Sequence, residues 1–290
     1  ESIIANNSTN PLSLIDVKDI DNVTVLRDAS SIYGTKGANG AIIITTIRAR
    51  EQATKIDFGA FTGFNSAPAR IPVMDAGSYR TYLSDMLQSR GMSASQIAAQ
   101  PYMIDDPAHP EYASYHFNTD WHRKVLDNSK TNNLFLKVTG GDNIATYGLS
   151  VGYMKTDGVV KTTDLTRYNM RFNADFNFSK RFTGAANISM SKADQHLKDQ
   201  GIAAKTAPVF LGLTKAPFLH DRVIDAKGAE SPDLAGVDTL GMTNPSAIIN
   251  NMQANNQFYS FFGSFDFKFD ITDHLSARNL FGITFHKQRE

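Results

Sequence analysis

A strict alternation of apolar and polar residues from Arg167 to Phe178 constrains the fold of this chain more than any other feature. One parity is apolar and the other strongly polar: Tyr168, Met170, Phe172, Ala174, Phe176 and Phe178 against Arg167, Asn169, Arg171, Asn173, Asp175 and Asn177. Side chains of a β-strand point alternately to its two faces, whereas helical side chains return about every 3.6 residues. The stretch therefore predicts one long strand with an apolar and a polar face.

Similar alternation elsewhere predicts seven strands in all. They cover about 54–64, 131–139, 145–155, 167–178, 182–192, 257–271 and 275–287. Most are longer than the five or six residues usual in soluble sheets, and they approach the roughly 9 to 11 residues of a tilted strand that crosses a bilayer. Periodicity alone also fits the core face of a soluble protein, but strand length favours a membrane barrel.

The connections between these strands are sorted by length. Those after the second, fourth and sixth strands are short, at 140–144, 179–181 and 272–274. Those after the first and fifth strands are long, at 65–130 and 194–256, and the connection after the third is intermediate, at 156–166. Outer-membrane barrels combine tight periplasmic turns with extended outer loops. Because a soluble sandwich has no reason to sort its loops in this way, the connections also favour a membrane barrel.

The first 50 residues and the first long loop carry other patterns. Val23, Val25 and Leu26 predict one short strand and residues 41–47 another, with a short helical turn at 28–33 between them. In the first long loop, helical spacing predicts a helix that begins after an N-cap at Asp75 and ends near Gly91. The apolar residues with that spacing are Tyr79, Tyr82, Leu83, Met86 and Leu87.

Composition narrows the possible functions. The 290 residues include 29 basic and 29 acidic side chains and no cysteine. A net charge of zero gives no attraction for a polyanion, so no nucleic-acid partner is expected. The lack of cysteine excludes disulfides and thiolate chemistry in this stretch. No apolar run approaches the roughly 20 residues of a membrane-spanning helix.

Catalytic, metal and cofactor sites are not predicted. The glycines at 34, 37 and 40 lie between a helical turn and a strand, whereas phosphate-binding loops lead from a strand into a helix. His109, His116 and His122 stand seven and six residues apart, which matches no helical or strand pair of metal ligands. No serine nucleophile motif or zinc-protease motif occurs. We therefore expect no cofactor and no enzyme activity.

The most specific motif lies at residues 26–46. A strand ends in the charged pair Arg27 and Asp28, and a small-residue turn carrying Tyr33-Gly34 follows. The bend 37–40 (Gly-Ala-Asn-Gly) then leads into a β-branched strand. This arrangement resembles the plug signature of SusC-like TonB-dependent transporters of the outer membrane. The residues that carry the plug motif are Asp28, Tyr33, Gly34, Gly37, Asn39 and Gly40.

A second resemblance to the same family lies before the second predicted barrel strand. The family's Asn-Thr-Asp-Trp stretch corresponds here to Asn118, Thr119, Asp120 and Trp121. Resemblance extends over nearly the whole chain, is strongest at 11–47 and 117–192, and weakens in the two long loops. Loops of this kind vary between relatives because they carry substrate choice.

The resemblance implies a fold class. The chain is expected to be an all-β membrane protein, part of an antiparallel outer-membrane barrel of about 22 strands, preceded by the C-terminal part of a small α+β plug domain. Residues 1–50 would belong to the plug and residues 51–290 would form about the first seven barrel strands. Long extracellular loops are expected near 65–130 and 194–256. On this expectation the chain is a piece of a longer transporter.

The resemblance also implies a function. It implies active import of an oligosaccharide or peptide across the outer membrane of a Gram-negative bacterium, in a barrel surrounded by outer-membrane lipid. A SusD-like surface lipoprotein would be the partner, and energy would come through TonB of the TonB-ExbB-ExbD complex, whose contact region is not in this stretch. The alternatives are a siderophore or cobalamin receptor of the wider class and, from a different class, a soluble all-β carbohydrate-binding protein. The sequence does not indicate which residues bind substrate.

On the membrane interpretation, the polar parity of the strands faces the lumen. The lumen-facing candidates, which would line a wet lumen or contact the plug, are Arg167, Arg171, Asp175, Asp266 and Lys268. Arginine in place of Phe172 or Phe267 is expected to impair assembly, because those side chains would face lipid. Arginine in place of Asn173 is expected to be tolerated.

Overall fold

A sheet of seven antiparallel strands dominates the structure, a computed structural model that describes residue 15 and residues 17–48, 50–225 and 227–289. Residues 1–14, which include the start of the predicted plug region and of the strongest resemblance, lie outside the described residues. Residues 16, 49, 226 and 290 do so as well.

A small antiparallel hairpin precedes the sheet. Strand β1 (Ile20–Leu26) pairs with β2 (Ala41–Thr46), and the connection between them contains the short helix α1 (Ser30–Tyr33) and a 3-10 turn at Gly34–Gly37. A second 3-10 turn at Val17–Asp19 leads into β1. Both predicted strands and the helical turn are confirmed. We call residues 17–48 the N-terminal hairpin.

The seven strands of the main sheet lie where the alternation predicts them, and most extend a few residues further. In sequence they are β3 (Gln52–Asn65), β4 (Ser129–Gly141), β5 (Ala145–Asp157), β6 (Asp164–Ser179), β7 (Phe182–His196), β10 (Asn255–Thr272) and β11 (Leu275–Arg289). Their spatial order is β11-β10-β7-β6-β5-β4-β3, so each strand pairs with its neighbours in the chain. The strands β8 (Arg222–Ile224) and β9 (Glu230–Leu234) form a separate hairpin between β7 and β10.

The sorting of the connections is confirmed. Residues 142–144, 180–181 and 273–274 make the short turns at one end of the sheet, which we call the turn end. Residues 66–128, 158–163 and 197–254 connect the strands at the other end, which we call the loop end. The first long loop contains the predicted helix, α2 (Ala76–Ser89), whose N-cap is Asp75: its side chain accepts a hydrogen bond from the Ser78 amide at 2.7 Å.

The two long loops contain further short helices and pack against each other. The first adds α3 (Ala94–Ala98), α4 (Tyr112–Tyr115) and α5 (Trp121–Val125), and the second holds α6 (Pro208–Thr214) and α7 (Pro245–Asn251). We call residues 66–128 and 197–254 together the loop domain. Its buried core draws on both loops and contains Ala76, Leu83, Tyr102, Trp121, Ala216, Phe218 and Leu219. A smaller cluster of Val125, Val160 and Ile249 joins the connection 158–163 to it.

The central strands of the sheet bury residues of their polar side. In β6, Arg167, Asn169 and Asn173 are buried, whereas Tyr168 and Met170 on the opposite face are exposed. A soluble sheet with one wet face buries the apolar side instead. Among the described residues, no helix has the length and apolar character needed to cross a membrane. We call the two sides of the sheet the polar face and the apolar face.

Candidate functional site

The N-terminal hairpin lies on the polar face of the sheet. Arg48 Nη1 lies 3.0 Å from Asp175 Oδ1, and Arg48 Nη2 donates a hydrogen bond to Asn187 Oδ1 at 3.5 Å. Asn173 Nδ2 donates to the Ile47 carbonyl at 3.4 Å. The hairpin thus meets β6 and β7 through side chains that the alternation placed on the polar parity.

Two arginines of β6 extend this contact toward the loop end. Arg167 Nη1 donates to the Ile15 carbonyl at 3.2 Å, and Arg171 Nε lies 3.7 Å from Asp19 Oδ2. Asp19 is almost fully buried. Because its carboxylate is withdrawn from water, removing Arg171 would leave a buried charge without its counterion, which is strongly destabilising.

Asn173 has no room for a larger side chain. It is buried beneath Ile47, and a Cβ atom built on Gly148 of the neighbouring strand would lie 3.0 Å from Asn173 Oδ1. An arginine at this position would collide with the hairpin or the wall. From the structure we therefore expect that Asn173→Arg is not tolerated, unlike the expectation from the sequence.

The remaining lumen-facing candidates pair within the sheet. Arg278 of β11 donates Nε to both carboxylate oxygens of Asp266, at 2.9 and 3.0 Å, and Lys268 Nζ lies 2.9 Å from Asp270 Oδ1. These groups lie on the polar face nearer the turn end. The structure thus brings Arg171 and Asp175 to the hairpin and Arg167 to Ile15 just before it, and it leaves Asp266 and Lys268 in a separate group.

A cavity of about 520 Å³ opens on the polar face beside the hairpin. Its walls combine aromatic rings, hydroxyl groups and one basic side chain from each of β6 and β11. The lining residues are Ile15, Arg171, Ser189, Ser191, Phe258, Ser260, Phe262 and His286. Aromatic faces together with a few placed polar groups are typical of small-ligand sites. The period-two pattern did not indicate this cavity, because Phe258 and Phe262 break the polar parity.

The plug motif forms the compact turn between β1 and β2. Asp28 Oδ1 accepts hydrogen bonds from the Ser30 hydroxyl at 2.8 Å and the Ser30 amide at 3.1 Å, and these bonds hold the pKa of Asp28 below its ordinary value. A Cβ atom at Gly37 would lie 2.6 Å from the Ala29 carbonyl oxygen, so only glycine fits there. Gly34 and Gly40 have positive φ angles, while Tyr33 and Asn39 are exposed. The glycines thus have a structural role, and the two exposed side chains remain available for contacts.

The Asn-Thr-Asp-Trp stretch joins the two long loops. Trp121 is buried and donates its indole N–H to the Ala216 carbonyl at 2.9 Å. Thr119 donates its amide to Pro217 O at 2.8 Å and its hydroxyl to Leu219 O at 2.5 Å. The first loop is therefore tied to residues 216–219 of the second.

The other two residues of that stretch fix the first loop itself. Asn118 Oδ1 accepts from the Ala76 amide at 3.1 Å and so holds the start of α2. Asp120 caps α5 through the Arg123 amide and forms an ion pair with Arg70 at 2.7 Å. All four residues of the stretch thus organise the loop domain.

Sequence reasoning missed a buried ion pair at the centre of the loop domain. Lys215 Nζ lies 2.5 Å from Asp238 Oδ2, donates to the Met242 carbonyl at 3.1 Å, and lies 5.5 Å from the centroid of the Trp121 ring. Burial lowers the pKa of Lys215, and the Asp238 carboxylate opposes that shift. No pattern in the sequence pairs these two residues, because they belong to the region of weakest resemblance.

A second buried carboxylate, Asp221, connects both loops. Its Oδ1 lies 2.9 Å from Lys124 Nζ, its Oδ2 accepts from the Ser246 hydroxyl at 3.0 Å, and its carbonyl accepts from Asn244 Nδ2 at 2.6 Å. Burial opposes ionisation of Asp221, but the Lys124 and Ser246 hydrogen bonds and the Lys124 charge outweigh it, so its pKa is lowered. The loop domain thus depends on charged groups contributed by both loops.

The three histidines of the first long loop have different surroundings. His109 Nδ1 accepts from the Glu111 amide, and His116 stacks on the Tyr112 ring with centroids 3.6 Å apart. His122 is buried in α5 against Gly212 of α6. In the part of the chain that the structure describes, no group of three or more His, Cys, Asp or Glu side chains is arranged to hold a metal ion.

The apolar face carries aromatic rings at the turn end. Phe178 and Phe182 stack with ring centroids 4.9 Å apart, and Phe182 lies 6.2 Å from Phe267. Phe176 and Phe269 extend this group. Bands of aromatic residues at the two membrane interfaces are a property of outer-membrane barrels.

The amino-acid sequence of the chain is similar to those of known receptors. No family model matches the chain. It is 30% identical over 192 residues to the TonB-dependent receptor SusC of Bacteroides thetaiotaomicron, a match that covers 65% of this chain and 16% of SusC. It is 28% identical over 204 residues to the TonB-dependent receptor P26 of Formosa agariphila, covering 68% of this chain and 19% of P26. The chain thus spans less than a fifth of these relatives.

Solved structures support the fold independently. The RagAB peptide importer in its closed-closed state matches with a TM-score of 0.73 at 19% identity, over 97% of this chain and 34% of that chain. A further structure, of the RagAB peptide transporter, matches with a TM-score of 0.72 at 18% identity, over 96% of this chain and 33% of that chain.

An antiparallel sheet with an apolar face and a small hairpin on its polar face accompanies these similarities: the chain resembles TonB-dependent receptors in sequence and the RagAB structures in fold. Its similarity to SusC and its two motifs make it SusC-like in sequence. The recognition made from the sequence is confirmed.

Proposed function

We propose that this chain forms part of the plug and wall of an outer-membrane transporter that imports an oligomeric nutrient, a glycan or a peptide, in a TonB-dependent manner. The division of the chain near residue 50 belongs to this proposal: residues 1–50 are plug and residues 51–290 are barrel wall. The proposal includes no catalytic step and no cofactor.

One observation carries the proposal: the hairpin that bears the plug motif lies on the polar face of the sheet, and the apolar face remains exposed. A sheet that exposes Leu134, Met170 and Met190 on one side is expected to contact lipid there. The polar side then faces a lumen, in which Arg171 and Asp175 hold the plug and Asp266 and Lys268 line the wall.

The cavity beside the hairpin supports a nutrient of glycan or peptide type. Phe258 and Phe262 offer flat apolar surfaces, and Ser189, Ser191 and Ser260 offer hydroxyl groups. Sugars and peptides both present apolar surface together with hydrogen-bonding groups, and both suit such a wall. Similarity to SusC and to the RagAB peptide importer favours this class of ligand over a siderophore or cobalamin.

The loop domain supports a surface partner. It lies at the loop end, and its helices and the β8–β9 hairpin place a large folded surface above the wall. We propose that a SusD-like lipoprotein binds at this end and that TonB acts from the opposite side of the membrane.

Cysteine labelling of the full-length protein in intact cells tests the arrangement. Lys227 in the second long loop and Lys180 in a short turn are both exposed and are replaced singly by cysteine in a cysteine-free background. We expect a membrane-impermeant maleimide to label Lys227→Cys at once and Lys180→Cys only after the outer membrane is permeabilised. Equal labelling without permeabilisation would contradict the barrel, and the reverse order would contradict its orientation.

A further inference from the structure

Basic residues line the apolar face of the sheet at the loop end. The ladder aligns one residue from each of five neighbouring strands in a row: Tyr153 faces Tyr168, Tyr168 faces Lys192, Lys192 faces Tyr259, and Tyr259 faces Lys287. Residues directly opposite in a ladder share a face, so this row lies on the apolar face. The row continues to Leu134 of β4, which faces Tyr153. We define the basic rim as the lysines and arginines of this row and of the next two same-face positions toward the loop end: Lys130, Lys155, Lys192, Lys287 and Arg289.

The turn end of the same face differs. In the half of the apolar face nearer the short turns, the described strand residues include no charged side chain, and the aromatic group around Phe182 and Phe267 occupies that level. Lysine stems can run along apolar surface to reach either membrane interface. A general preference of lysine for membrane interfaces therefore does not explain why the basic residues of this face, among the described strand residues, all lie at the loop end.

The acids near the rim do not neutralise it. Asp194 is paired with Lys192 at 2.8 Å, and Asp164 is paired with His196 at 2.6 Å. With Asp157, the described strand residues of this part of the face include three acids against five basic side chains, which leaves a net positive charge among them. Lys155 and Lys287 are exposed and make no ion pair with any residue that the structure describes.

The aromatic rings of the row position the ammonium groups. Lys192 Nζ lies 5.5 Å from the centroid of the Tyr259 ring, and Lys130 Nζ lies 5.8 Å from the Phe64 ring. Lys192 and Lys287 flank Tyr259 on the two neighbouring strands, which places their backbones roughly 10 Å apart, given a strand spacing of about 4.8 Å. Two flexible lysine stems across that gap can meet on one phosphate group.

We propose that the basic rim binds the phosphate groups of anionic lipid in the membrane leaflet at the loop end. The inference rests on the proposed function, because it requires the apolar face to contact lipid. The mid-sheet residues of that face contact the acyl chains of the lipid. The tyrosines lie at the level of the headgroups, and the lysines neutralise the phosphate groups. Charge complementarity selects a phosphorylated lipid over a neutral one.

Native mass spectrometry of the purified full-length protein tests this inference. The probes are a phosphorylated lipid A, the same lipid after phosphatase treatment, and inorganic phosphate alone. We expect the wild type to retain the phosphorylated lipid in preference to the other two. The double variant Lys192→Gln/Lys287→Gln should bind it about 25-fold more weakly, since each basic residue near an anionic surface contributes roughly fivefold to the binding constant.

A matched variant, Lys137→Gln/Lys180→Gln, removes the same charge from the polar face and from a short turn and should retain the lipid as the wild type does. The variant Lys192→Arg/Lys287→Arg keeps both positive charges and should retain the lipid as the wild type does. Equal retention of the two lipids, equal loss in the matched variant, or binding of inorganic phosphate alone would overturn the inference. Heat-modifiable migration on gels reports barrel assembly separately, so a protein that fails to assemble contradicts the proposed function rather than the rim.

Discussion

Lys215 shows how one buried charge can stabilise the second long loop, and with it the loop domain. Removing it by Lys215→Met leaves Asp238 buried without its cation, and we expect the loop domain to lose about 3 to 5 kcal/mol of stability. Asp238→Asn added to Lys215→Met removes the stranded charge, so the double variant should be the more stable of the two. Hydrogen exchange of residues 208–221 in the full-length protein measures both. A double variant no more stable than the single one would contradict the pairing.

Asp221 makes the same domain sensitive to acid. Its pKa is lower in the folded protein than in the unfolded chain, so its contribution to stability is complete above about pH 4 and is lost as the pH falls through the folded-state pKa. We expect the protection of the backbone amides of residues 208–221 against hydrogen exchange to fall below about pH 4. Asp221→Asn should flatten this dependence, whereas Asp233→Asn at an exposed position should keep it. An unchanged pH profile in Asp221→Asn would refute the assignment.

At the scale of single elements, strand β11 offers a direct test of the two faces. Ile283 on the apolar face and Thr284 on the polar face are adjacent, mid-strand and exposed. Ile283→Arg should destabilise the assembled full-length barrel by about 2 to 4 kcal/mol, because it places a charge in lipid near mid-bilayer. Thr284→Arg should cost little, because it faces the wet side. Urea titration followed by heat-modifiable migration measures both, and equal losses would reverse or abolish the assignment of faces.

The strands and α2 could be predicted because each leaves a local trace in the sequence. Alternation located all seven strands, and Asp75 with Gly91 located the helix, since period and capping depend only on nearby residues. The β8–β9 hairpin left no such trace: its strands are three and five residues long and too short to show a period. The cavity on the polar face was hidden for a similar reason, because Phe258 and Phe262 violate the pattern that defined the strand.

At the scale of the whole molecule, the sequence predicted which residues face inward but not what they meet. The polar parity of β6 identified Arg171 and Asn173, yet their partners Asp19 and Ile47 lie more than a hundred residues earlier. Pairing over that distance depends on how the hairpin is placed on the wall, which no local pattern encodes. The loop domain has the same property: Trp121 was singled out by resemblance, whereas its contact with Ala216 required the fold.

The shared core of the loop domain sets a rule for exchanging loops between relatives. Phe218 from one loop packs on Tyr79 and Tyr102 from the other, and Thr119 bonds the backbone beside it. A graft of either loop alone leaves half of that core facing a surface shaped for another partner. An exchange that keeps this domain folded should therefore transfer residues 66–128 and 197–254 together, onto unchanged strands.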